Sequence, residues 1–161
     1  MSNSEPLHIL DATVLTDWID YNGHMNVGYY NVAFDKATDA LFDRLGIGVD
    51  YVRSTNRSFF TLETHVHYVG EVLEGAPLRY DVQLLDHDAK RIHAFFRMFH
   101  ATEGFLSATS EQMCLHVDLA TRRSAEMPAE ILANVDRLAT SQKGLPWPEQ
   151  AGQGMRIRRK S

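Results

Sequence analysis

The chain predicts an α+β domain in which an antiparallel sheet of about five strands curls around one long helix. Three observations carry this. One long segment repeats its apolar residues at helical spacing, the segments after it alternate with period two, and short polar clusters join them as antiparallel neighbours require.

His8 to Thr16 is β-branched and apolar enough for a first strand, and Thr16 to Gly23, with Asp17, Asp20 and Asn22, breaks it. From Asn26 to Leu45, Val27, Tyr30, Phe34, Ala37, Leu41 and Leu45 recur every three or four positions, and Gly46 ends the helix. A Gly- and polar-rich connection runs through Asn56. Beyond it Phe60, Leu62, Thr64, Val66 and Tyr68 fall on one face of a strand, with Phe59, Thr61, Glu63, His65 and His67 on the other. Leu78, Tyr80, Val82 and Leu84 repeat the alternation. The cluster His87 to Lys90 turns the chain into the aromatic strand Arg91 to Ala101, and Glu103-Gly104 turns it again into Phe105 to Asp118. Pro128 with Ile131, Leu132, Val135 and Leu138 predicts a short second helix. The domain is expected to span residues 1–140, with 141–161 as an irregular tail. A curled sheet leaves edge strands, so pairing edge to edge into a homodimer or homotetramer is expected.

With 161 residues, 44% apolar and 23% charged, the chain has the size of one domain. Such a chain buries about 70% of its unfolded surface and folds without disulfide or structural metal. The single Cys114 points to a reducing compartment. No apolar run approaches the roughly 20 residues of a spanning helix, and Met1 to Pro6 lacks a signal-peptide pattern, so a cytoplasmic protein without a membrane partner is expected. A net charge of -5 argues against a nucleic-acid partner, and the basic residues Arg156, Arg158, Arg159 and Lys160 read as a solvated end.

Polar chemistry is densest in Asp20-Tyr21-Asn22-Gly23-His24-Met25-Asn26, where the long helix begins. The first amides of a helix lack internal partners and carry the positive end of its dipole, which suits them to an oxyanion. An aspartate just before them is placed to attack a carbonyl or to deprotonate a water that does, with Asn22 and His24 orienting it. Gly28 in the first turn leaves room for a carbonyl to approach. Asp20, Asn22 and Asn26 are equally the residue types that turns and helix N-caps use.

This stretch, followed by Tyr29-Tyr30 and the Phe34 helix, resembles the signature of hotdog-fold acyl-CoA thioesterases of the hydroxybenzoyl-CoA thioesterase type, and the element order from Leu7 to Asp118 matches that family. The resemblance implies hydrolysis of an acyl-CoA thioester, Asp20 as the catalytic carboxylate, and amides near Val27 and Gly28 as the oxyanion hole, beside Tyr30. Coenzyme A is then part of the substrate, with no retained cofactor. The Asp20, Asn22, His24 spacing is also similar to that of plant acyl-ACP thioesterases, in which all three act. Asp-Tyr-Asn-Gly-His is similar to the motif of thioesterases for betainyl-CoA, whose quaternary ammonium would stack on rings such as Trp18, Tyr21, Tyr29 and Tyr30, with Phe59 and Phe60 later in the chain. The expected substrate is a short, aromatic or betainyl acyl-CoA. The alternatives are a non-catalytic acyl-CoA-binding hotdog protein and an enoyl-CoA hydratase. Hotdog hydratases place the histidine five residues after the aspartate, and here His24 lies four after Asp20.

In the hotdog arrangement the second long strand lies near the active site of the partner subunit, which makes Glu63, Thr64 and His65 pocket candidates. Arg53, Arg57, Lys90, Arg91 and Arg97 are candidates for the phosphates of coenzyme A, with Arg57 and Arg91 leading the set. His65 and His67 share a strand face, but two histidines make a poor metal site without a convergent third ligand such as Glu63 or His93, and no metal is expected. Cys114 sits inside a strand with no histidine-rich loop tied to it, so it is not expected to be a nucleophile.

Overall fold

The computed structural model describes residues 5–157 and 159. In chain order it contains β1 (Leu7–Thr13), a short 3-10 turn (Thr16–Trp18), α1 (Val27–Leu45), α2 (Val49–Thr55), β2 (Arg57–Tyr68), β3 (Pro77–His87), β4 (Arg91–His100), β5 (Leu106–Asp118), β6 (Arg123–Ser124) and α3 (Ala129–Ser141). The five long strands form one antiparallel sheet in the order β1-β3-β4-β5-β2, with β6 added beside β5. The sheet curls around α1, which is the expected hotdog arrangement. No helix among the described residues is long and apolar enough to cross a membrane. Arg158 and Lys160 lie outside the described residues.

The long helix forms where its apolar period requires. Asn26 caps its start by accepting the Gly28 amide, and Gly46 ends it in the left-handed region at φ 81. Tyr30, Ala33, Phe34, Ala37, Leu41 and Leu45 are buried along one stripe. Phe34 meets Tyr80 of β3 edge to face, ring centroids 5.9 Å apart. Toward the β5–β2 side, the middle of α1 also meets a chain of polar side chains. The Gln112 side chain lies 2.9 Å from the Thr38 hydroxyl and donates to Ser110 at 3.1 Å, and Ser110 meets Thr64 at 3.2 Å.

Two features depart from the sequence reading. The connection through Asn56 contains α2, whose seven residues bury no side chain and so show no apolar stripe to read. In β2, a bulge between Thr61 and Glu63 shifts the register, opposing Thr61 to Cys114 but Glu63 to Met113. Before it, Phe59 and Thr61 face the buried residues His116 and Cys114; after it, Thr64, Val66 and Tyr68 face Gln112, Ser110 and Ala108. Phe60 and Leu62 are therefore exposed, at 38% and 57%, rather than sharing the face of Thr64.

The segment after α3 is irregular but closely packed. β1 pairs with β3 only as far as Val82, and the Gln142 side chain continues the edge, accepting from the Leu84 amide at 2.7 Å and donating to the Val82 carbonyl at 2.9 Å. Further on, the Pro146 carbonyl accepts from Gln83, Trp147 lies against His93, and the Gly152 amide donates to Glu111. This segment thus runs over the outer face of the sheet.

One buried histidine is expected to make the stability of the fold depend on pH. His116 has Nδ1 2.9 Å from the Ala125 carbonyl and Nε2 2.8 Å from the Tyr51 hydroxyl. A carbonyl only accepts, so Nδ1 carries the proton and Nε2 accepts from Tyr51. Burial is the main cause that holds its pKa below the ordinary 6.5. Below that value the unfolded chain binds a proton that the folded one resists, so stability falls as pH drops through 6.5 toward the folded value. Melting temperatures at pH 7.5 and 5.5 are expected to differ more for the wild type than for His116→Gln, and equal differences would remove His116 as the cause.

Candidate active site

The residues Asp20 to Asn26 form a miniature hairpin. Ile19 pairs with Met25 in an antiparallel bridge, the Asp20 amide donates to the His24 carbonyl at 3.1 Å, and the Gly23 amide donates to the Asp20 carbonyl at 3.0 Å. Gly23 sits at φ 83, a conformation that glycine adopts without steric cost. The base of the hairpin is fixed by the Met25 amide on the Val72 carbonyl and the Asn26 amide on the Trp18 carbonyl.

Asp20 is half-buried within this frame. Its Oδ1 accepts from the Asn22 amide at 2.8 Å and its Oδ2 from the Asn26 side chain at 3.2 Å. Asn26 also accepts the Gly28 amide at 2.9 Å, so one side chain joins the carboxylate to the helix N-terminus. That uses the Gly28 amide for capping. A Cβ on Gly28 would stand 3.3 Å from Asn26 Oδ1, so its missing side chain makes room for the cap. The Val27 amide, first in the helix, has no intrahelical carbonyl to reach. His24 Nδ1 lies 3.1 Å from the Met25 carbonyl, which fixes the neutral ring with its proton on Nδ1 and leaves Nε2 as an acceptor. Asn22 is exposed, and its side chain makes no hydrogen bond among the described residues.

Beside the hairpin lies a cavity of about 220 Å³, walled by His24, Val27, Tyr30, Tyr68, Val69 and Glu71 among others. The Tyr30 and Tyr68 rings meet edge to face at 5.1 Å. Burial raises the Tyr30 pKa above its ordinary value, with hydrogen bonds to the Ser107 side chain and the Val72 backbone acting the other way. The Tyr68 hydroxyl donates to the Val27 carbonyl at 3.4 Å. Of the rings expected to hold a cation, Tyr30 alone lines this cavity. Trp18 stacks on Tyr29 and carries the Lys36 ammonium 5.2 Å from its centroid; Tyr21 is 97% exposed; Phe59 packs on Phe42; Phe60 lies under Arg122. Tyr68 was missed because it ends an alternating strand and meets the helix across 41 residues of chain.

The strand candidates diverge. Thr64 faces a cleft of about 330 Å³ with Asn31, Asp35, Thr61 and Gln112, on the helix side of the sheet. Glu63 and His65 line another, of about 370 Å³, with His93, Glu111 and Gly152 on the opposite side. His65 and His67 stand edge to face at 5.1 Å, and no group of three or more His, Cys, Asp or Glu among the described residues is arranged to hold a metal ion. Arg57 starts β2 opposite Asp118. Eleven residues of extended chain, on the order of 35 Å, separate it from Tyr68. Arg91 forks onto Asp88 in the β3–β4 turn, holding that carboxyl down at about 2. Within one chain, neither arginine reaches the cavity. Arg97 is engaged with Gln83 and the Phe95 ring. Burial pushes the Cys114 thiol up to about 11, which suits a core residue and not a nucleophile.

A curled sheet around one helix, with an acidic hairpin tied to that helix's N-terminus, defines a class. Residues 14–135 match the model of the thioesterase-like superfamily, and the chain belongs to that family of thioester hydrolases. Among curated relatives, the betainyl-CoA thioesterase of Pseudomonas aeruginosa is 41% identical over 92% of this chain and 94% of its own length. The L-carnitine dehydrogenase/betainyl-CoA thioesterase of Rhizobium meliloti is 40% identical over 92% of this chain, which spans only 30% of that longer protein. Among solved structures, a Staphylococcus aureus protein in complex with CoA superposes with a TM-score of 0.88 at 28% identity, covering 98% of this chain and 100% of its own. A proposed thioesterase of Pseudomonas putida KT2440 gives 0.84 at 36% identity, with the same coverages.

Proposed function

We propose that this protein hydrolyses an acyl-CoA thioester, with betainyl-CoA as the leading substrate. The observation that carries the reading is the Asn26 bridge, which ties the Asp20 carboxylate to the start of α1 in a chain aligned almost end to end with the Pseudomonas aeruginosa enzyme. Asp20 takes a proton from the attacking water as the water oxygen bonds to the thioester carbon. The Val27 amide donates to the oxyanion that forms, where preset donors contribute most. The carbon–sulfur bond then breaks, and the thiolate of coenzyme A leaves and is protonated, releasing the free acid. His24, with Nε2 as acceptor, orients the water from the cavity wall. Coenzyme A acts as part of the substrate.

The reading extends to assembly. β2 is the terminal strand of the sheet, twelve residues long, with Phe60 and Leu62 exposed. Such an edge favours pairing with a second copy, as a homodimer or a dimer of dimers.

Thiol release from a panel of betainyl, short-chain, aromatic and long-chain acyl-CoAs tests the activity. Turnover is expected with betainyl-CoA ahead of the others. Ligand-dependent rises in melting temperature without thiol release would overturn hydrolysis in favour of a binding protein, and loss of enoyl absorbance with crotonyl-CoA would favour a hydratase.

A further inference from the structure

Resting on the reading above, we infer that Tyr68 and Glu71, with Tyr30, form the subsite that selects a quaternary ammonium acyl group over a neutral one. A betainyl group places its cationic nitrogen one methylene from the thioester carbonyl, so its recognition site must adjoin the oxyanion donor. The cavity of about 220 Å³ meets that condition, because Val27 forms part of its wall and the Tyr68 hydroxyl is bonded to the Val27 carbonyl.

The walls suit a methylated cation in two respects. The edge-to-face pair of Tyr30 and Tyr68 supplies electron-rich ring surface, and a trimethylated nitrogen, which has no hydrogen to donate, is held by ring faces and not by hydrogen bonds. The charge balance also has the right sign. Glu71 is the one carboxylate in the lining, and neither lysine nor arginine lines the cavity among the described residues. A neutral aliphatic acyl group gains nothing from a carboxylate beside it, whereas a cation does. The competing aromatic pair, Trp18 with Tyr29, already has the Lys36 ammonium over Trp18.

The test compares betainyl-CoA with 3,3-dimethylbutanoyl-CoA, which has the same shape but carbon in place of the charged nitrogen. The ratio of their kcat/KM values reads charge recognition and is blind to losses common to both substrates. The wild type is expected to favour betainyl-CoA at least tenfold. Tyr68→Leu is expected to lower the ratio about tenfold and Tyr68→Phe to restore most of it, since the ring is kept. Glu71→Gln, at an exposed position that does not endanger folding, is expected to lower it about threefold to fivefold. A ratio unmoved by Glu71→Gln and Tyr68→Leu, with betainyl-CoA still hydrolysed, would overturn this subsite and leave the proposed function standing. A wild type that hydrolyses the neutral analogue but not betainyl-CoA would overturn the substrate assignment itself.

Discussion

Asp20→Asn is expected to lower kcat for thioester hydrolysis by about a thousandfold while leaving the protein folded. The magnitude is that of removing a positioned general base, typically 10²–10⁴. Asparagine has the same shape, and its carbonyl oxygen can keep the bond from the Asn22 amide, so the hairpin retains one of its two side-chain bonds to this position. The second bond is lost, because an amide nitrogen at Oδ2 would face the Asn26 amide group, donor against donor. A loss of about 1 kcal/mol in stability follows. Thiol release and melting temperature on the same samples separate the two effects. A variant that keeps a tenth or more of wild-type kcat would end the case for Asp20 as the base.

Phe34→Ala is expected to cost about 4 kcal/mol of stability, a large share of what holds a domain of this size. The ring is 1% exposed, in the middle of α1, and packs edge to face on Tyr80, which is itself fully buried. Removing it leaves a hole between helix and sheet that neither element can close, since both are held along their length. Tyr30 lies one turn earlier on the same stripe, so the slack reaches the wall of the cavity. A fall in melting temperature of roughly 10 °C or more is the expected reading, and a fall below 3 °C would show that the core relaxes around the gap.

The long helix was legible because nineteen residues of consistent period, an Asn start and a Gly stop all point one way. The helix at Pro128 was legible in the same way, but α2 was not, since none of its seven residues is fully buried and no apolar stripe marks it. The faces of β2 were misread between Phe59 and Leu62 because both phenylalanines are apolar and a bulge leaves no compositional mark. At the site, the hairpin residues were legible as a motif, and Asn26 was readable as a cap. Its second bond, to Asp20, depends on how the hairpin folds back on the helix. The separation of Thr64 from Glu63 and His65 was already contained in strand alternation, whereas the distance of Arg57 and Arg91 from the cavity needed the strand pairing.

The extra residue in β2 works as a change of phase. On either side of it the same odd–even rule assigns opposite destinations, Phe59 and Thr61 inward on one side and Thr64 and Val66 inward on the other. Deleting Leu62 would remove the extra residue and leave Thr61 opposite Cys114 directly before Glu63 opposite Met113, so that Phe59, Thr61, Thr64 and Val66 would all keep facing the helix along a regular strand. Pairing Leu62 into the ladder, by contrast, would invert the half that begins at Arg57, turning Phe60 toward the helix and Phe59 into water. The place of the unpaired residue, more than the strand's composition, decides which of its side chains face the helix.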